Sequence, residues 1–249
     1  MSEADSGGMA PHPVKLTPKL KEQLNGVATA TLTMVLQQKG IRSTFFSGLK
    51  PTNPQKRMLG YALTLRYVPM REDLRAELGG GVNAQRRAIE GVGPDEVIVI
   101  EARYKPDAGT CGDIFATRAM RRGATGLVTD GALRDDPGVS EIDWPVYRQA
   151  AHAATLSRRH LPLETNVPVT CAEVLVMPGD IIVGDAEGAM VVPAALVEEV
   201  AEKAAEIELR ETWALERVNA GESSIGVFPV SDERMPEYEA WKAARDREQ

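Results

Sequence analysis

The first third of the chain alternates between helical and extended patterns of apolar residues. Residues 17–40 open with a Thr-Pro capping pair and keep an apolar stripe at helical spacing, which predicts one helix. Residues 44–46 and 61–68 predict short strands separated by proline and glycine, and residues 83–90 predict another helix. The first helix is expected to pack on a sheet.

The middle third predicts a βαβ unit. The continuous apolar run at 96–102 is typical of a strand that is buried on both faces. A glycine loop at 109–113 leads into a helix that ends at Gly123, where a C-cap glycine is expected. A short apolar strand follows at 126–129. Ligand sites in such units lie at the carboxyl ends of the strands.

The last third predicts a hairpin and a long helix. Two apolar strands within residues 181–192 flank a turn that Asp185 and Gly188 are expected to shape. An amphipathic helix is predicted over residues 194–219.

The two ends differ from the rest. Residues 1–16 are small and polar and predict a flexible arm. Residues 221–249 are rich in Pro, Glu and Arg with spaced aromatic residues, so this extension either clasps a neighbouring subunit or frays. No repeat or linker interrupts residues 17–220, which we interpret as a single α/β domain.

Composition and charge exclude several function classes. The formal net charge of -7 argues against non-specific binding to nucleic acid or to a membrane surface. No apolar run reaches the ~18 to 20 residues of a membrane span, and the first residues do not form a secretory signal. With two cysteines, a disulfide framework is not expected, and we predict a cytoplasmic protein.

The candidate chemistry converges on residues 109–135. Backbone N–H groups of the glycine loop, at the start of a helix, form a cradle for an anion. Arg134 and Asp135 follow the next strand, where the guanidinium can bind a carboxylate and the Asp can hold a hard cation. The pattern predicts a site for a small carboxylate bound through a divalent metal.

Simpler interpretations of the same residues stay open. Arg134 and Asp135 could form only a loop salt bridge, and Asp113 could serve only the helix dipole. Cys111 has no histidine in a recognisable relation to it, which favours an inert thiol. A Schiff-base mechanism would need a buried lysine near the loop, and Lys105 is the only one close to it.

Two segments, GDIFATRAMRRGATGLVTDGALRD at 112–135 and PGDIIVGDAEGAMVVPAALVEEV at 178–200, resemble blocks of one known family. This is the family of regulators of ribonuclease activity, which includes metal-dependent 4-hydroxy-4-methyl-2-oxoglutarate aldolases. The resemblance covers roughly residues 20–210. It implies a layered α/β/β/α sandwich of the swivelling β/β/α type, with a long C-terminal helix, assembled as a homotrimer or homohexamer with sites between subunits.

The resemblance also implies a catalytic domain and roles for its residues. Asp135 would bind Mg²⁺ or Mn²⁺ directly, Asp113 would hold it through water, and Arg134 would bind the 2-oxo acid. The carboxylate would lie on the backbone amides of Cys111, Gly112, Asp113 and Ile114. The implied activity is a class II aldolase that cleaves a 4-hydroxy-2-oxo acid or a 2-keto-3-deoxy sugar acid to pyruvate, with oxaloacetate decarboxylation as a side activity, through a metal-stabilised enolate.

One position departs from the family pattern. Active aldolases of the family usually carry an acid three positions after the aspartate of the Arg-Asp pair, and here that position is Gly138. Asp136 is acidic but stands at a different spacing. A further acid expected from the neighbouring subunit has no assigned residue. The alternative function is a non-catalytic protein that binds and regulates a ribonuclease.

Overall fold

The computed structural model describes residues 12–245 and residue 247. Its helices are α1 (Pro18–Asn25), α2 (Thr29–Gln38), α3 (Arg75–Leu78), α4 (Ala84–Gly91), α5 (Asp113–Arg122), α6 (Asp136–Glu141), α7 (Val197–Asn219) and α8 (Met235–Arg245). Its strands are β1 (Lys50–Pro51), β2 (Met58–Pro69), β3 (Glu96–Glu101), β4 (Gly109–Cys111), β5 (Gly126–Leu133), β6 (Val146–Ala151), β7 (His160–Thr165), β8 (Val169–Cys171), β9 (Val174–Val176), β10 (Ile181–Gly184) and β11 (Ala189–Val192). Among the helices so described, none combines the length and the apolar character that crossing a membrane requires.

Nine of the strands form one curled sheet. Its order is β1-β6-β5-β3-β2-β10-β11, with β4 added on β5 and β7 on β2. Strands β2, β3, β5 and β6 run parallel, whereas β10 and β11 form the predicted antiparallel hairpin. The hydroxyl of Tyr147 on β6 donates to the carbonyl of Asp185, just past β10, at 2.7 Å. Because three strands separate β6 from β10 in the sheet order, this contact requires the sheet to curl on itself.

The apolar core is divided by this curl into an inner and an outer part. The inner face packs on itself and against the β8–β9 hairpin through residues such as Val97, Val128 and Ile182. The outer face is covered at one end by α4 and α5 and at the other by α1, α2 and α7. Two β layers between two helical layers confirm the predicted α/β/β/α fold with its long C-terminal helix.

The N-terminal helical stripe is two helices, which corrects the prediction of one helix over residues 17–40. The first helix ends before Gly26, and the second begins at Thr29. The Thr29 amide and hydroxyl donate to the carboxylate of Asp185 at 2.8 and 2.9 Å. The break is therefore stabilised by a side chain that is distant in sequence, which local periodicity does not reveal. The strand predicted at 44–46 is only an isolated bridge from Phe45 to Met190.

The glycine loop is also more regular than predicted. Residues 109–111 form β4, which pairs in parallel with the end of β5, and β5 extends four residues beyond the predicted 126–129. A Cβ atom on Gly131 would lie 2.5 Å from Cγ2 of Thr110, so this glycine permits close approach of the two strands. This pairing places the residues after each strand side by side.

Both chain ends pack on the domain where they are described. Residues 1–11 of the predicted flexible arm lie outside the described residues, but His12 stacks on Tyr61 with ring centroids 3.7 Å apart. In the extension, α8 packs on α7 through Trp213, Tyr238 and the partly buried Trp241. The extension thus folds back on its own chain.

Candidate active site

A crevice of about 410 Å³ opens at the carboxyl ends of β4 and β5, beside the first turn of α5. Its volume lies within the range of small-molecule sites. Its lining includes all six residues that the sequence singled out, namely Cys111, Gly112, Asp113, Ile114, Arg134 and Asp135. The structure therefore brings the predicted site residues together, in the position expected for a βαβ unit.

Two glycines make room for the charged side chains. A Cβ atom on Gly109 would lie 2.2 Å from Cγ of Arg134, which is closer than any real contact. A Cβ atom on Gly112 would lie 3.0 Å from Oδ2 of Asp135. The close approach of β4 to Arg134 therefore requires glycine at position 109, whereas at position 112 a side chain would have to displace the Asp135 carboxylate.

The Arg134–Asp135 pair has no structural partner in the described chain. Neither side chain makes a hydrogen bond or an ion pair there, and Nε of Arg134 is buried without an acceptor. Asp135 has a left-handed backbone with φ 54°, which is uncommon for a residue other than glycine. Buried polar groups usually have partners, so the unpaired Nε of Arg134 is available to a ligand. The loop salt bridge considered from the sequence does not form.

The start of α5 supplies the anion-binding groups. Gly112 is the N-cap, and the first amides of a helix have no carbonyl partner within it. One of them is occupied, because the Ile114 amide donates to Oδ1 of Asp113 at 2.7 Å. Asp113 is the first residue of α5, where its negative charge is favourable to the helix dipole. The Ile114 side chain is 78% exposed at the mouth of the crevice.

Cys111 is a buried part of β4. Burial raises the pKa of its thiol to about 12, so the sulfur stays protonated at neutral pH. Its backbone carbonyl accepts from the Arg134 amide at 2.9 Å and fixes β4 to the residue after β5. The inert-thiol interpretation agrees with this environment.

The two positions considered for a further acid differ sharply. Asp136 is held by Arg148, with Nε to Oδ1 at 2.9 Å, and both side chains are about four-fifths buried. The Asp136 carboxylate is therefore already bound by Arg148. A Cβ atom on Gly138 would lie 3.4 Å from Oδ2 of Asp113, so an acidic side chain there would stand beside Asp113. The glycine leaves that space open.

The donors fit a hard cation that keeps much of its water. The described residues contain no group of three or more His, Cys, Asp and Glu side chains placed to hold a metal. Asp113 and Asp135 are two carboxylates on one crevice without a paired cation. Mg²⁺ is commonly bound by one or two carboxylates with several waters, whereas a structural Zn²⁺ site needs more protein ligands.

Some lining residues were missed from the sequence. Gln85 and Arg86 come from α4, and Thr155 and Leu156 come from the segment before β7. The Gln85 side chain and the Tyr67 hydroxyl both donate to the Thr110 carbonyl, at 2.5 and 3.0 Å. No local motif marks these residues, because they reach the crevice only when the curled sheet is complete.

Two buried titratable groups lie outside the crevice lining. Asp130 accepts backbone N–H groups of Ala102, Tyr104 and Ala172, and burial raises its pKa to about 6. Burial, and secondarily the charge of Arg103, lowers the pKa of His160 to about 4. Asp130 thereby fixes the backbone just after β3 and the turn between β8 and β9.

Comparison with known proteins agrees with the fold and with the motif. Residues 19–191 match the family model described as RraA-like, Aldolase/RraA. A protein of Halalkalibacterium halodurans named "Putative 4-hydroxy-4-methyl-2-oxoglutarate aldolase" is 31% identical over 158 residues, which are 64% of this chain and 70% of that protein.

Two other similar proteins have names that do not mention an aldolase. Protein DlpA of Legionella pneumophila is 28% identical over 194 residues, which are 78% of this chain but only 31% of that protein. The crystal structure of Streptomyces coelicolor RraAS2, described as an unusual member of the RNase ES inhibitor RraA protein family, has a TM-score of 0.73 and 32% identity. The match covers 80% of this chain and 96% of that structure.

Proposed function

Because the chain belongs to the RraA-like family (Aldolase/RraA), we propose that it is a divalent-metal-dependent lyase. It cleaves a 4-hydroxy-2-oxo acid, or a 2-keto-3-deoxy sugar acid, to pyruvate and an aldehyde or oxo acid, with oxaloacetate decarboxylation as a side reaction. The observation that carries the proposal is the crevice lined by Arg134, Asp135 and Asp113, none of which forms an ion pair within the described residues. Relatives named as aldolases support the reaction class.

The chain's own residues bind and orient the substrate. The free amides at the start of α5 bind the 2-oxo acid carboxylate, as helix N-termini bind anions. The Arg134 guanidinium forks onto the same end of the substrate and stabilises charge that develops on its oxo oxygen. Because Gly109 and Gly112 have no side chain, β4 packs close to Arg134 and Asp135. This packing positions both residues at the same end of the crevice.

Asp135 would hold Mg²⁺ or Mn²⁺ directly, and Asp113 would hold it through water. The bound cation would supply Lewis-acid stabilisation of the enolate that C–C cleavage leaves. The left-handed Asp135 backbone, fixed between β5 and α6, restricts the directions in which its carboxylate can point.

A Schiff-base aldolase has less support. Among the described residues, the crevice is lined by no lysine. Lys105 lines a separate surface cleft with Arg103, Arg158 and Arg159. A lysine nucleophile needs desolvation beside the substrate, and Lys105 lacks that position.

The assembly is proposed from the family. A homotrimer or homohexamer would bring a neighbouring subunit to the open crevice and would supply the acid that Gly138 does not. A second function, restraint of a ribonuclease, is favoured by the similarity to the Streptomyces RNase ES inhibitor relative.

Pyruvate release distinguishes these functions. A panel of 4-hydroxy-2-oxo acids, 2-keto-3-deoxy sugar acids and oxaloacetate is coupled to lactate dehydrogenase with Mg²⁺, with Mn²⁺ and with EDTA, and enzyme-free reactions with each metal are subtracted. We expect release from a hydroxy-oxo acid that EDTA abolishes, and we expect Arg134→Met to lower kcat/KM for that substrate. Silence across the panel with metal present would overturn the lyase and favour the ribonuclease regulator.

A further inference from the structure

The crevice would keep an excess of positive charge once its two carboxylates bind a divalent cation. Its charged residues are Asp113, Asp135, Arg86 and Arg134. A divalent cation on the two aspartates cancels their charge and leaves two arginines. A 2-oxo acid with an uncharged tail brings one negative charge and satisfies only one of them.

Arg86 is placed at the wall of the crevice by two contacts. It is the third residue of α4, and its amide donates to Oδ1 of the N-cap residue Asn83 at 3.1 Å. Its guanidinium carbon lies 5.7 Å from the ring centroid of Phe115, the third residue of α5. A guanidinium over an aromatic face is held by a cation–π interaction. Arg86 is thus stacked on the helix whose first turn forms the anion cradle.

Two neighbouring arginines have polar partners in the described part of the chain, whereas the exposed Arg86 side chain has none there. Arg87 donates to the Val82 carbonyl at 2.9 Å. Arg118 binds Glu90, with Nη2 to Oε2 at 2.6 Å. The pKa of Glu90 is lowered by Arg118 first and also by the charge of Arg86, but Arg118 occupies this carboxylate. Within the described residues, the Arg86 side chain makes no hydrogen bond and no ion pair. Its five donors are available to a ligand.

We propose that Arg86 binds a second carboxylate at the far end of the substrate, so that the crevice prefers 4-hydroxy-2-oxo diacids to monoacids of equal length. This inference rests on the proposed function, because it assigns the other carboxylate to Arg134 and the amides of α5. The planar guanidinium recognises a carboxylate through two parallel hydrogen bonds, which an alkyl or hydroxyl tail cannot accept. The sugar-acid substrates are thereby disfavoured.

A matched pair of substrates tests the subsite by turnover. 4-Hydroxy-2-oxoglutarate and 4-hydroxy-2-oxopentanoate differ only by a carboxylate in place of a methyl group. Arg86→Met is expected to lower kcat/KM for the diacid about tenfold, the loss of one charged hydrogen-bonding partner. The monoacid should stay within about twofold, and Arg87→Met, the control on the same helix, should leave both values within about twofold. Equal losses on both substrates would overturn the subsite.

Binding separates this inference from the lyase itself. With Mg²⁺ present, calorimetric titration of 2-oxoglutarate and 2-oxopentanoate should show about tenfold weaker binding of the diacid alone to Arg86→Met. If that selective loss occurs in a protein that turns over no substrate, the subsite stands and the lyase fails. If turnover is present but Arg86→Met weakens neither ligand selectively, the lyase stands and the subsite fails.

Discussion

Two Arg-Asp pairs at strand ends of this molecule share their chemistry and differ in their surroundings. Arg57 lies 3.3 Å from Asp185, and its other nitrogen donates to the carbonyls of Leu24 and Val27. Asp185 also accepts from Thr29 and from the Glu187 amide at 3.0 Å. Apart from Nε of Arg57, which is buried without an acceptor, the polar groups of that pair bind other parts of the fold.

The Arg134–Asp135 pair has the opposite character. Its side chains make no such bonds within the described residues and border a crevice of about 410 Å³. Asp135 is exposed and Arg134 is half-buried, so both side chains are accessible to a ligand in the crevice. We therefore expect the first pair to stabilise the protein, and we propose that the second pair binds a ligand. Substitutions in the two pairs should therefore affect different measurements.

The largest effect is expected from Asp135→Asn. Asparagine has the same shape and tolerates the left-handed backbone at φ 54°, so the substitution removes mainly charge. Metal-dependent pyruvate release should fall by on the order of 10²-fold or more. The free energy of unfolding in urea should change by less than about 0.5 kcal/mol. A fully active variant would remove Asp135 from the metal site.

Asp185→Ala should give the reverse result. It removes the acceptor at the start of α2 and leaves Arg57, whose pKa burial already lowers, without its carboxylate. We expect a loss of about 2–4 kcal/mol in the free energy of unfolding, with unchanged turnover per folded molecule well below the melting temperature. A double-mutant cycle with Arg57→Met measures the coupling of the pair. Reduced turnover at an equal folded fraction would contradict the division between the two regions.

His160 tests whether an unpaired atom suffices to mark function. Its Nε2 is buried without a partner, yet it does not line the crevice. Burial lowers its pKa from the ordinary value of 6.5 to about 4 in the folded protein, so its contribution to stability is complete above pH 6.5 and is lost as the pH falls towards 4. The difference in unfolding free energy between wild type and His160→Gln should shrink by about 1–2 kcal/mol from pH 7 to pH 5, by linkage.

The activity of this variant is the second half of the test. His160→Gln should keep wild-type turnover at pH 7, because the histidine is neutral there and lies outside the lining. A fall in turnover without a change in folded fraction would show that unpaired buried groups mark function even away from the crevice.

The sequence predicted the fold better than it predicted the details of packing. Layering, the βαβ unit and the hairpin follow from apolar periodicity and from the two family blocks. The sequence also placed the six site residues on one loop and one strand end, although their roles remain proposals. It missed the break at Gly26, because Asp185 stabilises it from far along the chain. It missed Arg86 for the same reason, since only tertiary packing brings α4 to the crevice.

The smallest expected effect concerns the approach of β4 to the Arg-Asp pair. In Gly112→Ala, the new Cβ would stand 3.0 Å from Oδ2 of Asp135 and must move that carboxylate by a few tenths of an ångström. Because metal and substrate positioning are sensitive to such shifts, turnover should fall about tenfold, with a small change in melting temperature. Gly91→Ala is the matched control, since a Cβ there meets no atom within 4 Å. If only Gly112→Ala loses activity, the packing between β4 and Asp135 sets the position of the carboxylate. If both variants lose activity equally, the loss comes from reduced backbone flexibility at either glycine, and the contact with Asp135 does not explain it.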